Sequence, residues 1–482
     1  MVLVGDNRAI YIPELPRSRM ATGRLRGLRL LHTHLGGESL SQEDLMDMVF
    51  LRLDSVTALN VAGGAPVTAQ AAHLLPPNPE GKSYEVFEPV RWDRMELDLG
   101  AVVEALEDEF RRQGDGKALA SDENRALLVS VDVTPRGVQE RSLDELAELA
   151  DTAGLAAAGT LIQRVRQANP KFIMGKGKLA ELEVQALQAN ASVILFDQEL
   201  SPTQSRNLAE LTERKILDRT QLILDIFAQH ATSRSGKLQV EMAQLKYTLP
   251  RLVGKNRAMS RLMGGIGGRG PGETKLEIDR RRANDRLTRL KKDLDEVRKR
   301  RTQTRERRAK AGLPIVSLVG YTNAGKSTML NTLTQSEVLA ENKLFATLDP
   351  TSRRIRFPRE REVVLTDTVG FIRRLPPDLK EAFRATLEEL ESADLLVLVC
   401  DASHPEAEEQ VAAVRAILAE MELDAIPSVL ALNKWDRLDA EGREAMQRVF
   451  PEGIPAVASN RASLAPLVEA VLDNLPFDKS VG

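Results

Sequence analysis

The segment that most restricts this chain is Gly320-Tyr-Thr-Asn-Ala-Gly325-Lys326-Ser327, set between the β-branched apolar run 315–319 and a helical pattern that begins at Thr328. A strand, a G-x-x-x-x-G-K-S turn and a helix, in that order, predict a P-loop within a mostly parallel α/β sheet. Gly320 and Gly325 let the backbone curl until the N–H groups of Tyr321, Thr322, Asn323 and Ala324 face one phosphate group. The N-terminus of the helix that follows adds its partial positive charge. Lys326 is the residue to bridge β- and γ-phosphates, the Ser327 hydroxyl is a hard oxygen ligand for Mg²⁺, and Thr328 follows beside the phosphates. A plain glycine turn is the competing reading, and both flanks speak against it.

A P-loop does not choose a base. Asn433-Lys434-Trp435-Asp436, directly after the apolar run 428–432, does. Guanine offers two donors, N1–H and the 2-amino group, and the Asp436 carboxylate can accept both. Adenine would turn an acceptor toward that carboxylate, and a buried unpaired polar group costs about 1–3 kcal/mol. Between the two motifs, the strand-like run 363–366 leads into Asp367-Thr368-Val369-Gly370. Asp367 stands where Mg²⁺ needs a carboxylate held through water, and the Gly370 N–H can meet a γ-phosphate. In Phe345-Ala-Thr-Leu-Asp-Pro350, Thr347 is the first candidate for a second hydroxyl on Mg²⁺, Thr351 the second, and Phe345 is placed beside the nucleotide. The three motifs predict a protein that binds and hydrolyses GTP, with Lys326, Thr347 and Gly370 at the reacting phosphate.

The remainder divides by pattern. We expect an extension over residues 1–124, a small α/β domain over 125–230, a basic helical hairpin with a Gly-rich loop over 231–312, a G domain over 313–476 and a tail over 477–482. The extension shows only mixed short patterns, with a helix-like stretch at 97–112. In the second region, strands are expected at 126–133, 159–164 and 192–196, helices at 143–154 and up to Leu187, and a loop at 175–178. In the third, apolar residues at Ala283, Leu287, Leu290, Leu294 and Val297 step by four, three, four and three, the spacing of a coiled-coil seam. Residues 238–252 are the expected partner helix, giving an antiparallel pair.

The net charge of −3 argues for no partner, but residues 275–310 carry sixteen Lys/Arg against seven Asp/Glu. Such a run is usually a solvated helix face with i,i+4 pairs such as Glu277 with Arg281, and it is also a footprint for nucleic acid. Arg261, Arg269 and Lys275 are the candidate RNA contacts. The single cysteine, Cys400, excludes an intrachain disulfide framework. No apolar run reaches the roughly 20 residues that span a bilayer. The first eight residues lack a signal-peptide pattern, which points to the cytoplasm. A monomer is the simplest expectation.

The motifs resemble the translation-factor-related P-loop GTPases, and within them the HflX family of the Obg-HflX-like group. The segments that carry the closer resemblance are Gly268-Arg-Gly-Pro-Gly-Glu-Thr-Lys-Leu-Glu277 with Asp279-Arg-Arg281, Gly236-Lys-Leu-Gln-Val-Glu241 with Leu249-Pro-Arg251, and Gly175-Lys-Gly-Lys178. It extends over about residues 125–475. It implies docking on the 50S ribosomal subunit, contact of the second and third regions with ribosomal RNA, and splitting or rescue of stalled ribosomes. It also implies K⁺ as an extra cation supported by Asn323, where bonding within its own loop is the alternative. Phe371 follows Gly370 where many GTPases place a glutamine that orients water, so intrinsic hydrolysis should be slow. The family closes its guanine site with a Ser-Ala pair after a Gly-rich turn. Here Val457-Ala-Ser-Asn-Arg-Ala-Ser463 has no glycine, and Ala458 and Ser459 are the candidates. The chain stops soon after its last helix, short of the extra C-terminal domain of some relatives.

Two other readings remain. A GTPase of RNA modification would resemble a family with a C-terminal Cys motif that has no counterpart here. A metallopeptidase regulated by a G domain would rest on His32-Thr-His34 with Ser41 and Asp44, similar to the H-x-H…S-x-x-D zinc pattern of JAMM-type proteases. Leu35 stands where that pattern has proline, the spacing to Ser41 is one residue short, and Glu14 is the candidate base.

Overall fold

The computed structural model describes residues 27–51, 53–75, 84–95, 98–114, 124–212, 214–251, 275–310, 313–334, 345, 351–356, 362–368, 370–372 and 390–475. The chain separates into two units, Met1–Arg219 and Thr220–Gly482.

In the first unit the extension forms a sheet that its mixed patterns did not announce. Strands β1 (Arg29–His34), β2 (Ser55–Ala62), β3 (Ala65–Leu74) and β4 (Tyr84–Val86) lie in that order, and β5 (Val90–Arg91) also pairs with β3. β1 runs parallel to β2, whereas β2 and β3 form an antiparallel hairpin. Its two-residue turn, Gly63-Gly64, has φ of 60° and 80°, the positive values that match a tight turn to strand twist. Helices α1 (Gln42–Phe50) and α2 (Leu99–Gly114) accompany this sheet. The apolar core joins Met48, Val49, Val56, Leu74 and Leu106 to Val184 of the following domain.

That domain holds strands β6 (Arg125–Asp132), β7 (Ala156–Arg164), β8 (Val193–Phe196) and β9 (Lys215–Asp218), all parallel, in the order β7-β6-β8-β9. Helices α3 (Arg136–Thr152), α4 (Lys176–Gln188) and α5 (Pro202–Leu211) make the crossovers, as parallel strands require. Three expectations are corrected here. α3 begins at Arg136, directly after Pro135 at its N-cap, rather than at residue 143. The stretch 175–178 is an N-cap and the first turn of α4, not a loop. α5 and β9 complete a four-stranded sheet of which only three strands were read. Ser201 caps α5 with Gln204 in a reciprocal box, with proline in the first turn. A buried Arg219 holds Asp197 at 3.0 Å and Glu145 at 2.8 Å, fixing the end of β9 to the sheet.

Helix α6 (Arg219–His230) begins on the last residue of the first unit, and α7 (Arg234–Thr248) and α8 (Lys275–Lys310) follow in the second. Leu290 and Leu294 of α8 are buried, and Ala283, Leu287 and Val297 are half-buried. α7 and α8 pack on each other along this seam, and Arg286 holds Glu241 through two bonds of 2.6 and 2.7 Å. Each buried leucine contributes about 1.5–3 kcal/mol, so the seam outweighs the exposed ion pair, worth about 0–1 kcal/mol. Arg282, Arg289, Lys291 and Lys292 stay exposed.

The G domain follows: β10 (Ile315–Gly320), α9 (Lys326–Thr334), β11 (Thr351–Arg356), β12 (Glu362–Asp367), β13 (Leu395–Asp401), α10 (Ala407–Glu420), β14 (Ser428–Asn433), α11 (Ala440–Val449), β15 (Ile454–Pro455) and α12 (Ala465–Asn474). Among the described residues its six strands run β11-β12-β10-β13-β14-β15, with β11 antiparallel to β12 and the rest parallel. β10, β13 and β14 read as nearly unbroken apolar runs because both faces of a parallel sheet are covered. Among the described residues no helix is long and apolar enough to cross a membrane.

Candidate functional site

Residues from all three G-domain motifs meet outside the carboxyl ends of β10, β12, β13 and β14. Chain order reverses about β10, which pairs with β12 on one side and β13 on the other. Open α/β sheets bind ligands at such a reversal. Gly320 ends β10, Asp367 ends β12, Asp401 ends β13 and Asn433 ends β14.

The P-loop is held by its neighbours. Gly325 adopts φ +96°, and a Cβ there would fall 2.2 Å from the Asn433 amide nitrogen. That nitrogen donates to the Ala324 carbonyl at 2.7 Å, and the Asn433 amide oxygen accepts from the Ala458 N–H at 2.8 Å. One buried asparagine thus ties the P-loop to the loop after β15. Asn323 takes positive φ, 60°, a conformation that asparagine tolerates better than most residues. On the opposite side, the Thr322 N–H donates to the Phe371 carbonyl at 2.8 Å, and the Phe371 N–H donates to the Gly320 carbonyl at 3.1 Å. Gly370 is pressed between these: a Cβ would come 2.7 Å from Thr322 Cα and 3.0 Å from Lys326 Nζ.

Lys326 is buried, and its ammonium donates to the carbonyls of Tyr321 at 2.7 Å and Gly320 at 3.2 Å. Burial pushes its pKa down to about 8, against the attraction of Asp367. A cation held on carbonyls at reduced basicity gains from an approaching phosphate, which returns a full counter-charge. The Ser327 hydroxyl donates to Asp367 Oδ2 at 2.6 Å. This pair of hard oxygens, with no thiol or imidazole beside it, suits Mg²⁺ rather than a softer ion. Thr368 turns its hydroxyl to the Leu318 carbonyl at 2.6 Å, so its side chain stabilises the sheet end.

On the base side, Lys434 takes φ 59° and its ammonium meets Asp401 at 2.7 Å. Asp436 is exposed in the single 3-10 turn Trp435–Arg437. The loop without glycine is held by side chains. The Ser463 hydroxyl accepts from the Val457 N–H and donates to the Asn460 carbonyl, and Asn460 accepts from the Ala462 N–H. Ala458 is buried against the P-loop tie and Ser459 is exposed beside it.

Phe345 packs inside the second unit. Its ring is buried edge-on against Phe227, 4.8 Å between centroids. Thr347, Val369, Arg261 and Arg269 lie outside the described residues, as does the side chain of Lys275, which begins α8. Sequence reading passed over Asp401 as the Lys434 partner, although an acid closing the apolar run 395–400 was a readable signal. It also missed Ser463 and Asn460, whose pairing depends on a turn seen only in the fold. Cys400 is buried in β13, and burial, with Asp401 adding to it, pushes its thiol up to about 12. Such a thiol has no thiolate to offer near neutral pH.

Three family models match in succession. "GTP-binding GTPase N-terminal" matches residues 140–228, "GTP-binding GTPase Middle Region" residues 230–308, and "50S ribosome-binding GTPase" residues 315–434. GTPase HflX of Caldanaerobacter subterraneus subsp. tengcongensis is 47% identical over 357 residues, covering 73% of this chain and 81% of that protein. GTPase HflX of Escherichia coli is 44% identical over 356 residues, covering 73% and 83%. Among solved structures, a GTP-binding protein from Sulfolobus solfataricus in complex with GDP is 25% identical, covers 72% of this chain and 98% of its own, and superposes with a TM-score of 0.40. With relatives near half identical over most of both chains, and a P-loop, Asp367 and Asn433 assembled at one sheet edge, the chain belongs to the HflX family of GTPases.

Proposed function

We propose that this GTPase works in the cytoplasm as a monomer, docks on the 50S subunit through ribosomal RNA and uses GTP to split or rescue stalled ribosomes. The observation that carries the reading is the exposed basic surface of α8, in the same unit as the P-loop, Asp367 and Asn433. Arg282, Arg289, Lys291 and Lys292 face solvent on a helix whose apolar seam is already taken by α7. Arg261, Arg269 and Lys275 extend the same positive stretch.

At the nucleotide, Lys326 and the N–H groups of residues 321–328 hold the phosphates. Gly370 donates its N–H to the γ-phosphate, with Thr368 and Val369 shaping the approach. Ser327 and Thr347 would hold Mg²⁺, with Asp367 as a further carboxylate for it. Mg²⁺, when bound, neutralises charge developing on the β- and γ-phosphate oxygens. Asn323 would support K⁺ there. Asp436 reads guanine from one edge, Lys434 and Asn433 brace that reader, and Ala458 and Ser459 close on O6. Phe371 brings no group that orients water, and both its backbone polar groups are bonded to the P-loop. Rapid hydrolysis therefore needs a rearrangement or an added group, which the ribosome supplies.

GTP turnover with and without purified 50S subunits tests this. Turnover should be slow alone, rise about 100-fold with 50S, the scale of one stabilising group, and vanish in Lys326→Ala. Turnover indifferent to 50S would leave the GTPase intact and sink ribosomal activation. A second test concerns the docking face. Arg282→Glu, Arg289→Glu and Lys292→Glu together should weaken 50S binding and flatten its salt dependence by about one unit of slope for each phosphate left unpaired. Basal turnover should not change. An unaltered salt slope would show that α8 does not face RNA.

A further inference from the structure

We propose that His32, His34 and Asp44 form a binding site for a divalent ion of the zinc class, in a part of the chain that no feature of the GTPase uses. These three side chains are the only such group of metal-ligating atoms among the described residues, with all ligand atoms within 4.8 Å of one another. His32 and His34 lie two apart on β1 and therefore share one face of the strand. Asp44 stands in the first turn of α1, where it completes a capping box with Ser41.

The spacing fits an ion. His32 Nε2 is 2.9 Å from His34 Nε2 and 3.2 Å from Asp44 Oδ1, and His34 Nε2 is 3.5 Å from Asp44 Oδ2. Ligands bound to zinc at about 2.0–2.2 Å in a tetrahedron stand roughly 3.3 Å apart. The two separations from His32 Nε2, 2.9 and 3.2 Å, lie close to that value, and all the ligand atoms fall within 4.8 Å of one another.

The protonation pattern agrees. His34 Nδ1 lies 2.9 Å from the Glu38 carbonyl. A carbonyl only accepts, so Nδ1 carries a hydrogen and Nε2 is the ring nitrogen turned toward the cluster. A second nitrogen fixed by a backbone carbonyl is the usual support of a metal-binding histidine. Ser41 occupies Asp44 Oδ2 through its N–H and its hydroxyl, both at 2.7 Å, which leaves Oδ1 for the ion. His32 Nδ1 is buried and has no hydrogen-bond partner among the described residues. Two imidazoles and one carboxylate select zinc-class ions over Mg²⁺. The side chains of His34 and Asp44 keep 16% and 19% of their surface exposed, so the fourth position opens to water.

The experiment uses the untagged full chain, stripped with a chelator and then saturated with Mg²⁺ and GDP so that the G domain takes no part. Zn²⁺ retained after gel filtration is measured by elemental analysis, and Co²⁺ is followed by its visible absorption. The expected result is one Zn²⁺ per chain and a tetrahedral Co²⁺ spectrum. In His34→Ala and in Asp44→Asn, which keeps an oxygen for the helix cap, affinity should fall by about 100-fold or more. His404→Ala should behave as wild type. Circular dichroism of each variant confirms that the extension is folded. No retained Zn²⁺ in the wild type, or equal retention in folded His34→Ala and Asp44→Asn, overturns the proposal.

Discussion

Asparagine in place of Asp436 is expected to lower affinity for GDP about 100-fold and to raise affinity for xanthosine diphosphate. Asp436 sits exposed in the 3-10 turn directly after the bound-down pair Asn433 and Lys434, free to accept from both guanine donors. A hydrogen bond to a charged group contributes about 1.5–3 kcal/mol. An asparagine carbonyl accepts one of the two donors, and its amide hydrogens confront the other. The net loss of about 3 kcal/mol is roughly two decades of affinity. Xanthine carries an oxygen where guanine has its 2-amino group, so the new amide finds an acceptor there. Titration of fluorescent GDP and its xanthine counterpart reads both effects. Unchanged GDP affinity would remove Asp436 from the base-reading role.

Gly325→Ala should be as damaging by a different route, acting on the shape of the loop rather than on a contact to the ligand. At φ +96° an alanine is strained by about 1–3 kcal/mol. Its methyl would also stand 2.2 Å from the Asn433 amide nitrogen, in a position that leaves no room for the bond to Ala324. Displacing that buried amide adds about 1–3 kcal/mol for the groups left unpaired. Nucleotide affinity should fall by about 100-fold or more, with a melting temperature lower by several degrees. Gly175→Ala is the control. Nothing lies within 4 Å of a Cβ at that N-cap, and the change should cost at most about 1 kcal/mol with nucleotide affinity intact. If Gly325→Ala binds GDP as the wild type does, the tie between P-loop and β14 is not what shapes the loop.

Legibility in the sequence followed locality. The P-loop could be read because its strand, turn and helix are consecutive, and the seam of α8 because a four-three spacing is itself a surface. The extension was obscure for the opposite reason. β1 pairs in parallel with β2 across an intervening helix, and no short-range pattern records such a pairing. One local signal there was passed over, the Gly63-Gly64 turn between two strand-length runs. The stretch 175–178 was misread because glycine and lysine suggest a loop, while Gly175 serves as an N-cap and the lysines fit the first turn. The contact of Phe345 with Phe227, 118 positions earlier in the chain, likewise has no local signal.

The sequence by itself determined the chemistry available: a lysine and a hydroxyl after a glycine turn, a carboxylate ending one strand, a carboxylate suited to guanine near the end of another. These are local because backbone geometry within a few residues positions them. Tertiary structure alone decided which of these groups touch. It brought Asn433 onto the P-loop from 109 residues away, set Asp401 against Lys434, bonded Phe371 to the loop backbone, and gathered His32, His34 and Asp44 into one cluster. Contacts of that kind depend on strand order and register, which are set by how the apolar faces of whole elements are buried together rather than by any one segment.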